Sequence, residues 1–593
     1  MTLSLAVDSN QSLSSQLDHV FAEVDARLVR ESPDLAAVCR DLLPRTRRLV
    51  AAAKNYDFRD VEANGFWTFA RLVLRFGHVV CVSPEHHLRA HLLPVAKVLS
   101  AGLDLCDQFL ASSSDDLFGT PPQHFPQLLR VFGDLQPHLD IVYGVYSSFW
   151  LCPSMRRVVN GFTALMAVYS GGEKQSWIHS SRTLFDQTLR AQTVAHIAQN
   201  ASVQFVKSFW GLTETPFVRN TLPLLSPPLN CAAKDLFVPS QTTWTISATD
   251  ASVARTKDRQ TLPDIRCRLL QSRAPDAATD AIVLHLHGGG FVAQSPDSHE
   301  VYLGQWAVKL SQTAILSVDY ALSPENKYPT ALQQILDVYL WLASDACVPA
   351  LGYRPRRVVV CGDSAGGNLS LALCLVVHDI CREGEPLLRP KGVVCFYTPF
   401  MLQTRGSPSR LMTAVDTLLP LGVLLSCLEA YAPDADIDCV DADFELISHD
   451  EIPADEELPQ MTSQNLQLVN RFARLRHKLS PSASTSPPKP WYRCPETPLA
   501  AKLLSLNAAT NNAYVSPLMA ANLDFHDIPL YLVALVYDAC LDDSIQMAKK
   551  WNGPVCLDVV DGLPHGFLNF VLVSEDAKRA ADLCLDRVQQ ALT

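Results

Sequence analysis

Apolar residues recur every three or four positions through the first part of the chain, a pattern that predicts amphipathic helices. It is strong over residues 11–30 and returns over 35–50 and 185–209. Segments in which polar and apolar residues alternate are few here, and glycine is sparse. We therefore predict a mainly helical N-terminal domain over residues 1–240, as a candidate for dimer or lipid contacts.

The pattern changes after about Pro239, where short apolar runs begin to alternate with helical segments. Nearly continuous apolar character is typical of parallel strands that are buried on both faces. Six runs have this character: 281–287, 313–320, 357–361, 393–400, 530–537 and 555–560. Helical segments lie between them, at 331–344, 367–380 and 577–591. The alternation predicts a doubly wound α/β domain, divided between residues 241–432 and 513–593.

The two parts of this α/β domain are separated by residues 433–512. Residues 434–457 are densely acidic, and residues 480–498 are rich in serine and proline. Such a composition buries little apolar surface and favours a mobile insert that could serve as a regulatory module. An ordinary surface loop explains the composition equally well, and both interpretations stay open.

Size and composition limit the classes of protein to consider. A chain of 593 residues is too long for one hydrophobic core, so we expect at least two domains. A net charge of −12 argues against nucleic acid as the main partner. Its 17 cysteines contain no C-x-x-C pair or credible metal cluster, and the N-terminus lacks a signal-peptide pattern. We expect a cytoplasmic protein, without a transmembrane span because no apolar run reaches about 18 residues.

The strongest chemical signal is the segment Gly362-Asp363-Ser364-Ala365-Gly366, the one G-x-S-x-G match in the chain. It follows an apolar strand and opens a helical segment, which is the setting of a nucleophile elbow. We predict Ser364 as the nucleophile. Asp363 could be a second catalytic group, but we favour a structural role in which it braces the elbow.

A second glycine-rich segment, His287-Gly288-Gly289-Gly290, directly follows the strand predicted at 281–287. Loops of this type supply backbone N–H groups to an oxyanion hole, and glycine permits the positive φ values that turn those groups inward. We predict the N–H groups of Gly289 and Gly290 as donors, together with that of Ala365.

The remaining catalytic groups should follow the serine in the order acid, then histidine. Asp538 ends one apolar run and His565 follows the last one, so both lie at the carboxyl ends of strands, where α/β folds place their sites. Asp542 and Asp543 are alternative acids, but they fall at the start of the next helix, where acids are ordinary caps. We therefore predict Ser364, His565 and Asp538 as a catalytic triad.

These motifs resemble the hormone-sensitive-lipase branch of the α/β-hydrolases. Further segments are similar to the animal members of that branch: 287–294, 407–411, 418–421, 563–568, and, in the helical part, 207–210 and 224–228. The resemblance implies an α/β-hydrolase catalytic domain preceded by a mainly helical N-terminal domain. In one respect the chain departs from the family, because Ala539 follows the acid where proline is common. We expect this change to affect stability modestly and to leave activity intact.

The resemblance also implies a function. Relatives of this type are neutral lipases that hydrolyse diacylglycerol, cholesteryl esters and other lipid esters without a cofactor or metal. It implies a homodimer that is cytoplasmic and associates peripherally with lipid droplets or membranes. Animal members carry a regulatory insert that a protein kinase phosphorylates; here the best candidate is Ser480, which lacks the paired arginines such a site needs.

Two other functions remain open at this stage. The chain could be a carboxylesterase for small soluble esters, because the triad chemistry is the same for both substrate classes. It could also be a non-catalytic ligand receptor on this fold, as in plant receptors that have lost the catalytic histidine. The presence of all three triad residues disfavours the receptor, although fold alone does not fix function.

Overall fold

The computed structural model describes residues 12–111, 116–118, 142, 148–174, 186–221, 229–240, 243–256, 263–273, 280–433, 506–521 and 523–593. Most of the predicted insert at 433–512, including Ser480, lies outside the described residues.

The N-terminal part begins with four long helices: α1 (Leu13–Glu31), α2 (Pro33–Ala53), α3 (Gly65–Val82) and α4 (Leu93–Ala111). The helical spacing of apolar residues in α1 places one face in the core, with Leu17, Val20, Phe21, Val24 and Leu28 buried. Side chains at the helix starts satisfy free backbone N–H groups: Ser12 accepts from Ser15, and Asn64 accepts from Phe66 and Trp67.

Four further helices follow: α5 (Pro153–Lys174), α6 (Gln187–Asn200), α7 (Val203–Trp210) and α8 (Pro216–Thr221). The helical pattern over 185–209 corresponds to two helices, α6 and α7. The Ser202 hydroxyl accepts the N–H of Phe205 and so starts a new helix, because serine competes with the helix for backbone hydrogen bonds. The predicted helical character of this part is confirmed.

The C-terminal part is built on an eight-stranded sheet with the order β1-β4-β6-β5-β7-β8-β9-β10. Its strands are β1 (Cys231–Val238), β4 (Ile265–Ser272), β5 (Ala281–Leu286), β6 (Ala314–Val318), β7 (Arg357–Asp363), β8 (Gly392–Phe396), β9 (Leu530–Leu535) and β10 (Val555–Val560). A separate antiparallel pair consists of β2 (Trp244–Ile246) and β3 (Val253–Arg255). All six strands that we predicted are present, and they run parallel to one another from β6 to β10.

The sheet is mixed, which the sequence did not predict. The strands β1 and β4 pair antiparallel at the β6 edge, and β1 begins at Cys231, before the boundary placed at 240. In β4 exposed or half-exposed positions lie between buried ones, and in β1 every position except Val238 is exposed or half-exposed. Strands covered on one face alternate in polarity, so they lack the continuous apolar runs that revealed the central strands.

Among the described residues, five helices flank the sheet: α9 (Pro296–Leu310), α10 (Thr330–Leu342), α11 (Ala365–Arg382), α13 (Leu541–Lys550) and α14 (Glu575–Leu592). A further helix, α12 (Leu421–Tyr431), packs against α6 and α7 of the helical part. Helices α10 and α11 pack together, as do α9 and α14, and both α11 and α14 lie against β7 and β8. The central strands are therefore enclosed by helices. Their carboxyl ends carry Ser364, Asp538 and His565 on loops at one edge.

Among the described helices, α3 alone is long and apolar enough to cross a bilayer, and 67% of its apolar segment is buried inside the protein. Burial of this extent is what the core helix of a folded domain shows.

Candidate active site

Ser364 lies on a sharp turn between strand β7 and helix α11. Its backbone has φ 52° and ψ −120°, a conformation that L-residues rarely adopt and that marks local strain. Small neighbours make the turn sterically feasible. A Cβ on Gly362 would lie 2.5 Å from the carbonyl carbon of Gly366, and one on Gly366 would lie 2.0 Å from the oxygen of Leu286. The strand–turn–helix geometry leaves the Ser364 side chain partly exposed.

The structure brings the three predicted residues into one hydrogen-bonded chain. Nε2 of His565 lies 2.8 Å from the hydroxyl oxygen of Ser364. Nδ1 of the same ring lies 2.9 Å from Oδ2 of Asp538. Asp538 is fully buried and His565 is 9% exposed, so the contact between them is shielded from water. The arrangement has the geometry of a nucleophile, a general base and an orienting acid.

The pKa of the His565 imidazole depends on its burial and on the carboxylate of Asp538. Burial alone would lower the pKa of the imidazole, but the carboxylate of Asp538 outweighs this effect and the pKa is raised. A nearby carboxylate favours the protonated ring because opposite charges attract strongly in a buried site. The site therefore stabilises the imidazolium that a proton transfer from Ser364 would create.

Asp538 is itself held by the turn that follows it. Its Oδ1 accepts the backbone N–H of Cys540 at 2.9 Å. Oxygen, sulfur and nitrogen atoms of Asp538, Cys540 and His565 all lie within 4.8 Å of one another, the one such group of metal-ligand types among the described residues. Both nitrogens of His565 are already occupied by the hydrogen bonds to Ser364 and Asp538. Cys540 was not singled out from the sequence, because its neighbourhood shows only in the fold.

The glycine loop, residues 287–290, faces the serine turn. Gly289 and Gly290 have φ values of +113° and +60°, which glycine adopts without the steric cost that a side chain brings. Among the described residues no hydrogen bond from the N–H groups of Gly289, Gly290 or Ala365 occurs within the protein. These are the three donors predicted for the oxyanion hole.

Asp363 connects the glycine loop to the serine turn. Its carboxylate accepts hydrogen bonds from the Gly288 N–H at 3.1 Å and from the hydroxyls of Tyr302 and Tyr397 at 3.2 and 3.3 Å. Burial alone would raise the pKa of Asp363, but His299 beside it outweighs burial and the pKa is lowered. These contacts favour the bracing interpretation over a second catalytic role.

His287 serves the same loop as a structural group. Its ring stacks on Tyr320 with 4.1 Å between ring centroids, and its Nδ1 lies 2.7 Å from the carbonyl oxygen of Gly288. Burial lowers the pKa of His287 to about 3. A ring that stays neutral and packed in this way supports the backbone of the loop.

Comparison with known proteins gives two family matches. A family described as the hormone-sensitive lipase (HSL) N-terminus matches residues 86–272, and one described by the alpha/beta hydrolase fold matches residues 283–461. The hormone-sensitive lipase of Bos taurus is 27% identical over 606 residues, which cover 77% of this chain and 78% of that protein. That of Homo sapiens is 26% identical over 77% of this chain and 55% of its own length.

A bacterial and an archaeal hydrolase are also similar to parts of this chain. The carboxylesterase/phospholipase LipF of Mycobacterium tuberculosis is 40% identical over 127 residues, covering 21% of this chain and 32% of that protein. Among solved structures, the Pyrobaculum calidifontis esterase is 20% identical with a TM-score of 0.43, covering 66% of this chain and 94% of that one.

The chain is similar to the hormone-sensitive lipases in both its helical and its hydrolase part, and the hydrolase part has the α/β-hydrolase fold. The N-terminal match decides this, because it joins the helical part and the hydrolase part in the same order as in the animal lipases. The chain is accordingly a carboxylester hydrolase, and the predicted family and fold class are confirmed.

This hormone-sensitive-lipase-type hydrolase contains two buried acids that sequence reasoning misjudged. Asp542 and Asp543 lie in the first turn of α13, as predicted, but they are fully buried and do not act as ordinary helix caps. Asp542 accepts the N–H groups of Gly65 and Ser409, both at 2.7 Å, and Asp543 accepts the N–H of Met401 at 2.6 Å. They join distant segments, which a local pattern does not reveal.

Three further neighbours of the hydrolase site were also missed. Asp416 is buried, accepts the N–H groups of Leu418 and Leu419, and has a pKa raised to about 6 by burial and by nearby Asp538. Cys427 and Trp210 lie against the glycine loop, 2.7 and 3.5 Å from where a Cβ on Gly290 would be. Trp210 lies in the segment 207–210 that resembles the animal members of the family, but no local pattern marks any of the three as a neighbour of the site.

Proposed function

We propose that this protein hydrolyses lipid acyl esters through an acyl-enzyme formed on Ser364. The observation that carries the proposal is the hydrogen-bonded chain from Ser364 through His565 to Asp538. A serine hydroxyl is a weak nucleophile until an adjacent base takes its proton, and His565 is within reach to do so.

In the first step Oγ of Ser364 attacks the carbonyl carbon of the ester while its proton passes to Nε2 of His565. The negative charge moves to the carbonyl oxygen, which the N–H groups of Gly289, Gly290 and Ala365 can stabilise. Collapse of this intermediate breaks the bond to the alcohol, and His565 returns its proton to the leaving oxygen. The product is an ester between the acyl group and Ser364.

In the second step water takes the place of the alcohol. His565 removes a proton from the water molecule as its oxygen attacks the acyl carbon. The bond to Oγ of Ser364 then breaks, the serine regains its proton from His565, and the fatty acid leaves. Asp538 keeps the imidazole in the correct orientation and stabilises its charged form in both steps.

The substrate class follows from the likeness to the animal hormone-sensitive lipases, which extends through the helical part at 86–272. We infer diacylglycerol, cholesteryl esters and related lipid esters as substrates. The same likeness supports a cytoplasmic homodimer that binds peripherally to lipid droplets or membranes. The proposal requires no cofactor.

A carboxylesterase for small soluble esters is the second candidate, favoured by the 40% identity to a bacterial carboxylesterase/phospholipase over 127 residues. Hydrolysis of emulsified dioleoylglycerol and of soluble p-nitrophenyl butyrate distinguishes the two. Wild-type protein should hydrolyse both substrates, and Ser364→Ala should lower both rates by about 10³-fold or more.

Three outcomes would change the conclusion. Hydrolysis of the butyrate alone would make the protein a small-ester esterase. Wild-type rates in Ser364→Ala would reject the nucleophile. A wild-type protein that hydrolyses neither ester and does not react with a fluorophosphonate probe would be a non-catalytic binding protein on this fold.

A further inference from the structure

One face of helix α3, in the N-terminal helical part, contacts the two loops that carry Asp538 and His565. The contacts begin with Gly65, whose N–H donates to Asp542 at 2.7 Å, and Thr68, whose hydroxyl donates to the carbonyl oxygen of Val536. Arg75 lies two turns further along the same face. Positions 65, 68 and 75 are spaced as helical neighbours are, so a single face of α3 makes all of these contacts.

Arg75 forms hydrogen bonds to both loops at once. Its Nε donates to the hydroxyl of Tyr537 at 2.6 Å, and its Nη2 donates to the two carboxylate oxygens of Asp561 at 3.1 and 3.0 Å. The guanidinium also lies over the Tyr537 ring, 5.2 Å from its centroid. The planar group is suited to holding several acceptors in a fixed arrangement.

The two partners of Arg75 stand next to the groups that perform the proposed chemistry. Tyr537 immediately precedes Asp538, and Asp561 begins the turn that leads to His565. These turns follow β9 and β10, which are neighbouring parallel strands. The loop that leads to His565 also contacts the helical part at another point: the N–H of Cys152 donates to the carbonyl oxygen of Gly562 at 2.9 Å.

The strength of these contacts depends on burial. Asp561 is 52% exposed on its side chain, and ion pairs at such sites contribute little stability because water screens them. The Tyr537 hydroxyl lies in a buried residue. A buried acceptor that loses its donor is costly, so the backbone before Asp538 would shift to find another partner.

We propose that Arg75 is a positioning residue for the catalytic acid and base, supplied by the N-terminal helical part. The proposal rests on the Ser364–His565–Asp538 mechanism. Arg75 touches neither substrate nor the reacting atoms. It fixes the separation of the two loops, on which the 2.9 Å contact between His565 and Asp538 depends. Displacements of about 1 Å in a catalytic group cost roughly 10²-fold in rate.

The test compares Arg75→Met with Arg71→Met as the matched control. Arg71 lies one turn earlier on α3, donates to the carbonyl oxygen of Glu62 at 3.0 Å and lies over the ring of Trp67. Among the described residues, none of its hydrogen bonds reaches the loops of Asp538 or His565. Both variants remove one cation from the same helix. Only Arg75→Met also removes hydrogen bonds to the loops of Asp538 and His565.

Arg75→Met should lower kcat for p-nitrophenyl butyrate by about 10- to 100-fold and change KM by less than about twofold. Arg75→Lys, which keeps one donor group, should recover part of kcat. Arg71→Met should retain wild-type kcat. A role in folding alone would reduce the yield or the melting temperature and leave kcat of the folded enzyme unchanged.

The pH profile of kcat/KM gives an independent readout. The titratable groups beside His565 in the described structure are the acids Asp538, Asp416 and Asp363 together with Cys540 and Tyr397. None of these is a cation, so Arg75 acts on the imidazole through the position of Asp538. Loosening that contact weakens the stabilisation of the imidazolium. The acidic limb of the profile should therefore move to lower pH in Arg75→Met and stay in place in Arg71→Met.

Tyr537→Phe keeps the proposal testable if Arg75→Met does not fold, because it removes only the hydroxyl that Arg75 contacts. It should reproduce part of the fall in kcat and the same direction of pH shift. Wild-type kcat and pH profile in Arg75→Met, or in Tyr537→Phe where Arg75→Met is unfolded, would overturn the proposal. Equal losses in Arg71→Met would also do so. Ser364→Ala, assayed alongside, separates the two proposals: activity in that variant rejects the mechanism itself.

Discussion

The carboxylate of Asp363 accepts the N–H of Gly288 at 3.1 Å and so joins the nucleophile turn to the glycine loop. The same carboxylate accepts the hydroxyl of Tyr397, whose ring packs edge-on against His565 with 5.0 Å between ring centroids. The buried Asp363 carboxylate, next to Ser364 in the chain, thereby contacts both the glycine loop and the tyrosine that packs against His565.

Asp363→Asn should weaken this connection. The amide supplies one acceptor where the carboxylate supplies two, so at least one buried donor loses its partner, at about 1–3 kcal/mol in the free energy of unfolding. We expect a lower urea midpoint and slower labelling of Ser364 by a fluorophosphonate probe. Unchanged labelling at a lowered midpoint would limit Asp363 to a role in stability.

Asp538→Asn should alter the pH dependence of hydrolysis as well as its rate. In the proposed mechanism neutral His565 is the base, so kcat/KM falls as pH decreases through the pKa of its imidazole. That pKa is raised because Asp538 outweighs burial. Without the carboxylate, burial dominates and the pKa decreases, so the acidic limb should move to lower pH. The rate at pH 8 should fall by about 10³-fold or more.

Asp542→Asn should differ from Asp538→Asn: the protein should lose stability, and the pH dependence of its kcat/KM should stay unchanged. The two oxygens of Asp542 accept the N–H groups of Gly65 and Ser409, and asparagine can accept only one of them. We expect the free energy of unfolding to fall by about 1–3 kcal/mol, measured by urea denaturation. Asp586→Asn, at an exposed position on α14, is the control. If Asp542→Asn shifted the acidic limb as Asp538→Asn does, the acid would be wrongly assigned.

Gly289 and Gly290 of the glycine loop should respond differently to substitution by alanine. A Cβ on Gly289 would lie 2.1 Å from the backbone oxygen of Ala293, which no side-chain change relieves. A Cβ on Gly290 would lie 2.7 Å from Sγ of Cys427. We expect both variants to lose activity on p-nitrophenyl butyrate, and Cys427→Ala to restore part of it in Gly290→Ala alone. Equal recovery in both double variants would contradict this steric account.

The sequence predicted the parts of this protein that short segments encode. Strand β10 has the predicted bounds, 555–560, and residues 287–290 and 362–366 form the predicted turns. Continuous apolar runs and glycine-rich turns are local properties, so a single chain displays them directly. The edge strands β1 and β4 were missed because half-buried antiparallel strands lack such runs.

Contacts between distant segments were not predictable in the same way. Asp542 was misjudged because an acid in the first turn of a helix usually caps it. The local sequence does not show whether such a side chain faces solvent or a distant segment. Arg75 offers no motif at all. Its importance arises from Tyr537 and Asp561, which follow it by more than 460 residues.

The hydrogen bond between Gly65 and Asp542 spans 477 positions of sequence, and this separation has a consequence for synthesis of the protein. Contacts between distant residues form late in folding, because the entropy of closing a long loop precedes any gain from the contact. During translation the helices and the Ser364 turn emerge well before Asp538 and His565. A nascent chain should therefore present Ser364 without its proposed base, and become able to cleave esters only after Asp538 and His565 have left the ribosome.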